Sequence, residues 1–272
     1  MDQYAVMGNP VSHSKSPQIH AAFAAQTGQA MSYRAIPVAD GDFERAVQDF
    51  FAKGGKGLNI TVPFKQQAWA LARKHSPEAA RAGAVNTLLF EDGVLSGHNT
   101  DGIGLVRDII ANHQGRIADK RLLILGAGGA ARGILLPLLS EHPQRITLAN
   151  RTPARALCLV QEFSDYEGLS ACGFDALPGM VFDWVINATA ASLQGDLPPL
   201  PEGLLSSHAW CYDLMYAQQQ TVFCRWATQA GAEQSLDGLG MLVEQAAEAF
   251  YLWRGTRPET APVIASLRAS QQ

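Results

Sequence analysis

Hydrophobic positions along this chain follow two periods in turn, short apolar or alternating runs and longer stripes spaced three and four residues apart, the marks of strands and amphipathic helices. Tyr4-Ala5-Val6-Met7-Gly8 predicts a strand. Ser16-Pro17 then supplies an N-cap and a first helical residue for a helix carrying Ile19, Ala22 and Phe23 as far as Gly28. Met31, Tyr33 and Ala35 alternate as a second strand. Phe43, Ala46, Val47, Phe50 and Phe51 fall on one helical stripe, with Asp42 as its expected cap and Gly54-Gly55 as its stop. Leu58, Ile60 and Val62 share one face of a third strand, which turns Asn59 and Thr61 to the other, before Pro63 ends it and Lys65 opens a helix.

Ser76-Pro77-Glu78 is another helix start. Asp92-Gly93 between two apolar runs predicts a hairpin, which brings Asn86 and Asp101 onto neighbouring segments. Asp101 precedes a helix bearing Ile103, Leu105, Val106, Ile109 and Ile110, and an N-cap role would explain it as well as a chemical one. From Arg121 to about Gly231 the pattern alternates strand and helix: strands at 122–125, 146–149, 182–188 and 210–215, helices at 129–139, 153–163 and 221–230. That is a doubly wound parallel sheet with helices on both faces. A last helix carries Leu242, Ala246, Ala249, Phe250 and Trp253 on one side, with Gln245 polar beside the stripe.

Length and composition narrow the class. The 272 residues suffice for two domains, and 47% hydrophobic with 17% charged residues describes a globular protein. No apolar run nears the roughly 18 residues of a membrane span, and the first residues read as a strand instead of a leader, so a cytoplasmic protein without a membrane partner is expected. A net charge of −4 with scattered Lys and Arg argues against a nucleic-acid partner. Cys158, Cys172, Cys211 and Cys224 form no metal-ligand spacing and are expected as buried small apolar residues; no metal is expected.

The most telling stretch is Leu122-Leu123-Ile124-Leu125-Gly126-Ala127-Gly128-Gly129-Ala130-Ala131. Gly126, Gly128 and Ala131 fit G-x-G-x-x-A after a buried strand and before a helix. The first glycine makes the turn, the second admits a pyrophosphate to the backbone N–H groups, and the small third residue lets helix and strand pack. The next strand ends in Asn150-Arg151-Thr152, 24 positions beyond Gly126. A dinucleotide fold that takes NAD sets an acid there on the ribose 2′-hydroxyl, but here Arg151, with Arg155 one turn on, offers cationic forks for a 2′-phosphate. NADP is therefore the expected cofactor. Lys65 in a first helical turn opposes the macrodipole, and strand ends in open α/β sheets are where ligands bind, although a solvated lysine fits the same position. Ser14 and Ser16 likewise fit either turn chemistry or a site.

Taken together, Ser14-Lys15-Ser16-Pro17, Asn59-Ile60-Thr61-Val62-Pro63-Phe64-Lys65, Gly83-Ala84-Val85-Asn86-Thr87, Asn99-Thr100-Asp101-Gly102, Gly126-Ala127-Gly128-Gly129-Ala130, Asn150-Arg151-Thr152 and Asp237-Gly238-Leu239-Gly240-Met241-Leu242-Val243-Glu244-Gln245 closely resemble the shikimate dehydrogenase family over the whole chain. The resemblance implies two α/β domains: a substrate domain at 1–101 plus 237–272, to which the C-terminal helices return, and a Rossmann-type NADP domain at 102–236. It implies reversible hydride transfer between NADPH and 3-dehydroshikimate. Lys65 and Asp101 would form the proton-transferring pair, and Ser14 and Ser16, with Tyr216 nearby, would hold the substrate carboxylate. Thr61, Asn86 and Gln245 would hold ring hydroxyls, with Asn59 beside them. Gly126, Ala127, Gly128, Gly129, Ala130, Asn150, Arg151, Thr152, Arg155, Thr189, Leu214, Gly238 and Met241 would hold NADP. The family allows a monomer or a homodimer. Thr189-Ala190-Ala191-Ser192, Pro77 and Gln218-Gln219-Gln220-Thr221 depart from the usual family pattern, and none of them touches the acid–base pair.

Overall fold

The computed structural model describes residues 1–270, and the chain divides into two units, Met1–Gly104 with Leu242–Ser270, and Leu105–Met241. The first unit runs β1 (Asp2–Gly8), α1 (Ser16–Thr27), β2 (Met31–Pro37), α2 (Phe43–Ala52), β3 (Gly55–Ile60), α3 (Lys65–Leu71), β4 (Lys74–His75), α4 (Pro77–Ala82), β5 (Thr87–Glu91), β6 (Val94–His98) and the start of α5 (Asp101–Arg107). The second holds β7 (Arg121–Leu125), α6 (Gly129–Ser140), β8 (Arg145–Ala149), α7 (Pro153–Glu162), β9 (Leu169–Cys172), β10 (Phe182–Asn187), β11 (Leu205–Asp213), α8 (Val222–Gln229) and β12 (Gln234–Leu236). Most of α9 (Leu239–Arg254) and all of α10 (Ala261–Ala269) belong to the first unit, so the C-terminal helices do return to it.

The first sheet has the order β2-β1-β3-β5-β6-β4. It is mixed: β5 runs antiparallel to β3, and the expected hairpin at Asp92-Gly93, where both residues take positive φ, sets β6 antiparallel to β5. The amphipathic stripe of α2 buries Phe43, Val47 and Phe50 against Met7, Leu58 and Ile60. On α9, Trp253 Nε1 donates to the Leu88 carbonyl at 3.2 Å, and Arg254 binds Asp2 and Tyr4 at the first strand.

Among the aromatic rings of this unit lies His20, fully buried and stacked on Tyr33 at 4.2 Å, with neither ring nitrogen hydrogen-bonded among the described residues. Burial pushes its pKa down to about 3, so it folds as a neutral imidazole. The unfolded chain, with an ordinary histidine near pH 6.5, takes up a proton that the native state refuses. His20 therefore stabilises nothing by charge, and below about pH 6.5 it should cost the fold up to about 1.4 kcal/mol per pH unit until the native pKa is reached. Urea unfolding of His20→Leu between pH 7 and 4 should show a flatter pH dependence than the parent chain, and an unchanged slope would refute the linkage.

The second sheet is parallel throughout, in the order β12-β11-β10-β7-β8-β9. On β7 Leu122 and Ile124 enter one core cluster and Leu123 and Leu125 another, so both faces are covered and the strand reads as a continuous apolar run. The order reverses at β7, the switch point where such sheets bind ligands.

Several local expectations need correction. The residue before α1 is Lys15, while Ser16 lies buried inside the first turn and its N–H is received by Ser14 Oγ at 3.2 Å. Asp42 makes no cap bond; its carboxylate turns out to Arg45 at 2.9 Å. β11 begins at Leu205, where polar Ser206, Ser207 and His208 hide the pattern, and it ends at Asp213. β9 and β12, of four and three residues, gave no apolar signal. The cysteines are free thiols, but Cys158 is exposed, on the solvent side of α7. Ser76 does cap α4, accepting from Ala79 N–H at 3.2 Å with Pro77 in the first turn.

Candidate active site

In the first unit β3 ends at Ile60, and the turn at Pro63 starts α3 with Lys65 as its first residue. A cation at the positive end of a helix is poorly placed unless an anion offsets it. Asp101, the first residue of α5, does so, with Lys65 Nζ 2.6 Å from Asp101 Oδ2 and the two side chains only 30% and 17% exposed. The Asp101 carboxylate is engaged by Lys65 and Asn86 in place of the first N–H groups of α5, while Asn99 Oδ1 receives the Asp101 N–H at 3.1 Å.

Asn86 fixes the other oxygen. Its Nδ2 donates to Asp101 Oδ1 at 2.9 Å and to Thr100 Oγ1 at 2.9 Å. Its Oδ1 receives the Thr100 N–H at 2.9 Å and the Thr87 hydroxyl at 3.0 Å. Those two donors forbid the flipped amide, which would face Asp101 with an acceptor. Gln245 Oε1 lies 3.4 Å from Asn86 Nδ2, and Gln245 Nε2 is held by the Leu242 carbonyl at 2.9 Å. Lys65, Asp101, Asn86 and Gln245 thus come together from α3, α5, the residue preceding β5, and α9. Thr100, between Asn99 and Asp101, completes the group through its hydroxyl and N–H to Asn86, a role that no local pattern in the sequence marks.

Asn59 is a correction in kind. It is buried, its Oδ1 takes the Tyr33 hydroxyl at 2.7 Å, and its Nδ2 donates to Asn86 O at 3.2 Å and Thr87 Oγ1 at 3.0 Å, so its groups are engaged within the protein. It braces the site. Thr61 follows β3 half-buried, tied by its N–H to the Met7 carbonyl at 2.9 Å. Ser14 and Ser16 stand together at the entry to α1. Tyr216 lies in the other unit, on the loop after β11, where burial and then Asp237 push its phenol pKa up.

In the second unit the turn after β7 suits a dinucleotide. Gly126 has φ +102°, and a Cβ there would come within 3.0 Å of Thr189 Cγ2. Gly128 precedes α6 without a capping side chain, and nothing lies within 4 Å of where a Cβ would stand on Gly128 or Gly129. Free N–H groups at a helix start facing open space suit a pyrophosphate. Ala127 and Ala130 flank them half-buried, and Ala131 packs fully buried. After β8, Asn150 Nδ2 ties down the Thr152 carbonyl at 2.9 Å, and Thr152 leads into α7. Arg151 and Arg155 are both exposed, with no ion-pair partner among the described residues and no acid at the strand end. These residues fit NADP.

Loops after β10 and β11 bear Thr189 and Leu214. Thr189 Oγ1 donates to Asn187 Oδ1 at 2.7 Å, and Leu214 N–H donates to the Asn187 carbonyl at 3.0 Å. Gly238 N–H reaches the Met215 carbonyl at 3.1 Å, and Met241 N–H the Tyr212 hydroxyl at 3.2 Å.

A six-stranded parallel sheet with a phosphate-binding turn at its switch point, in one chain with a part-buried lysine–aspartate pair among amides and hydroxyls, defines a nucleotide-dependent oxidoreductase for a small polar substrate. Residues 6–88 match the family described as shikimate dehydrogenase substrate binding domain, residues 108–194 that described as shikimate / quinate 5-dehydrogenase, and residues 238–268 that described as shikimate 5′-dehydrogenase C-terminal domain. The chain is 60% identical over 267 residues to the shikimate dehydrogenase (NADP(+)) of Alkalilimnicola ehrlichii, covering 98% of both chains. Among solved structures, an Ael1 enzyme from Pseudomonas putida is 48% identical at a TM-score of 0.93, over 98% of both chains. The shikimate 5-dehydrogenase of Thermus thermophilus, solved with NADP(H) and shikimate, is 34% identical at 0.88, over 99% of this chain and 100% of that one. The chain belongs to the shikimate dehydrogenase family.

Proposed function

We propose that the chain catalyses the reversible NADPH-dependent reduction of 3-dehydroshikimate to shikimate, as a cytoplasmic step of aromatic amino acid biosynthesis that needs no metal. The observation that carries this reading is the Lys65–Asp101 pair at 2.6 Å, braced by Asn86 on the second carboxylate oxygen. NADPH supplies the hydride that reaches the carbonyl carbon. Lys65 Nζ stabilises the negative charge that grows on the carbonyl oxygen and gives it a proton; in the reverse direction it takes that proton back. Asp101, 2.6 Å from Nζ, aims the amino group at the carbonyl oxygen. Water can return the proton, since the Lys65 side chain keeps 30% of its surface exposed.

Ser14 and Ser16 hold the substrate carboxylate, and Thr61, Asn86 and Gln245 the ring hydroxyls. Each unmatched buried donor or acceptor costs about 1–3 kcal/mol, so these groups select the hydroxylation pattern. The unit of residues 1–104 with 242–270 acts as the substrate domain and that of 105–241 as the NADP domain, a few residues from the boundaries the resemblance implied. There Gly126, Ala127, Gly128, Gly129 and Ala130 receive the pyrophosphate, and Asn150, Arg151, Thr152 and Arg155 the 2′-phosphate end. Thr189, Leu214, Gly238 and Met241 receive the nicotinamide end.

An absorbance assay with shikimate or quinate and NADP or NAD tests this directly. Shikimate with NADP should be fastest, with the other three combinations at least about tenfold slower in kcat/KM, as expected where a charged or hydroxyl partner is lost. Preference for quinate or NAD would overturn the assignment, and binding without turnover would make the chain a regulator.

A further inference from the structure

At the ends of two neighbouring parallel strands stands a carboxylate for which the chemistry above has no use. Asp213 closes β11 beside Asn187, which closes β10, and neither has any solvent-exposed surface. No cation pairs with Asp213 among the described residues; its partners are neutral donors. Oδ1 accepts from Asn187 Nδ2 at 3.0 Å and from Met215 N–H at 3.1 Å, and Oδ2 accepts from the Thr221 hydroxyl at 2.7 Å. Burial raises its pKa against the pull of these bonds.

Each partner governs a loop. Asn187, held by its Nδ2, presents Oδ1 to the Thr189 N–H at 3.2 Å and the Thr189 hydroxyl at 2.7 Å, and its Nδ2 also reaches Ser192 Oγ at 2.9 Å. Met215 sets the turn after β11. Thr221 caps α8, accepting Cys224 N–H at 3.2 Å while its own proton goes to Asp213. A carboxylate buried among neutral groups is weak support for stability, because desolvation offsets much of what its bonds return. Its effect is geometric: an acceptor with lone pairs on both oxygens makes every neighbour a donor, which fixes the Asn187 amide and leaves Oδ1 for Thr189. Removing the charge would leave one of those donors facing another.

We infer that Asp213 is a positioning residue that holds the loops after β10 and β11 in the form that receives the nicotinamide half of NADP, without touching the cofactor itself. The inference rests on the proposed role of Thr189 and Leu214.

The test uses the full chain carrying Asp213→Asn, with Thr221→Val as a milder second variant should the first fail to fold, and Thr221→Ser to restore the hydroxyl. NADPH binding is followed by fluorescence. Adenosine 2′,5′-bisphosphate, which carries only the adenosine half with its 2′-phosphate, is followed by calorimetry. Asp213→Asn should weaken NADPH by about tenfold, raise its KM, and leave the bisphosphate and the KM for shikimate unchanged; Thr221→Val should show about a third of that factor and Thr221→Ser almost none. A merely structural role would lower both affinities together, and that outcome, or no change in either, overturns the inference. Thr189→Trp separates the two levels. If it blocks NADPH but not the bisphosphate while Asp213→Asn does nothing, the inference alone fails; if it leaves NADPH binding intact, the reading of these loops fails and the inference with it.

Discussion

Replacing Lys65 by alanine should lower kcat about a thousandfold in both directions while the KM for shikimate stays within a few-fold, the size of effect that a positioned general acid–base group contributes. The asymmetry follows from when the ammonium matters. Ground-state 3-dehydroshikimate offers it a neutral carbonyl, and shikimate offers the amine form a neutral hydroxyl, each a modest hydrogen bond that water can replace. In the transition state it meets an oxygen that is becoming an alkoxide, and charge-assisted bonds in a part-buried site are about twice as strong as neutral ones. Lys65→Arg should recover little, because a guanidinium does not give up its proton and its fork does not match the single contact with Asp101 Oδ2 at 2.6 Å. Asp101→Asn should fall between, since the ammonium would lose its anion while Asn86 Nδ2 would face an amide in place of Oδ1. Steady-state kinetics of the three variants decide it, and a Lys65→Ala variant at normal rates would remove the lysine from the chemistry.

How far the sequence led to this site depends on the distance over which each signal acts. The turn after β7 was legible because everything it needs is local: four apolar residues, glycines at fixed offsets and a helix behind them. Gly126 has the positive φ, +102°, that a turn glycine suggests, and open space lies where a Cβ would stand on Gly128. The meeting of Asn86 with Asp101 was legible because Asp92-Gly93 fixes the hairpin register. Other features depended on partners far along the chain. Asn59 stood on the polar face of its strand with no partner visible nearby, and Tyr33, 26 positions away, and Thr87, 28 positions away, engage it. The sequence alone did not show that Asp213 would be buried, because an acid closing a strand is usually solvated. β9 and β12 went unseen for a related reason: strands of four and three residues form because a sheet edge is already there to pair with, and so their own composition carries little pattern.

Replacing Arg151 by alanine should raise the KM for NADP about thirtyfold and leave the KM for NAD within about twofold, the loss of one charge-assisted contact of roughly 2 kcal/mol. Arg151 and Arg155 stand exposed after β8, and none of the ion pairs among the described residues engages either one. Their attraction for a 2′-phosphate is therefore not diminished by a competing carboxylate. Exposure also means screening, so raising ionic strength from about 0.05 to 0.5 M should weaken NADP in the parent chain more than in Arg151→Ala, as the Debye length contracts. Asn150→Asp makes the converse case. A carboxylate at the end of β8 would repel the 2′-phosphate and accept the 2′-hydroxyl of NAD, so combined with Arg151→Ala it should move kcat/KM toward NAD by a further factor of about ten. Equal losses for both cofactors in Arg151→Ala would instead mean that the guanidinium serves the adenosine moiety they share, and the preference for NADP would have to come from Arg155.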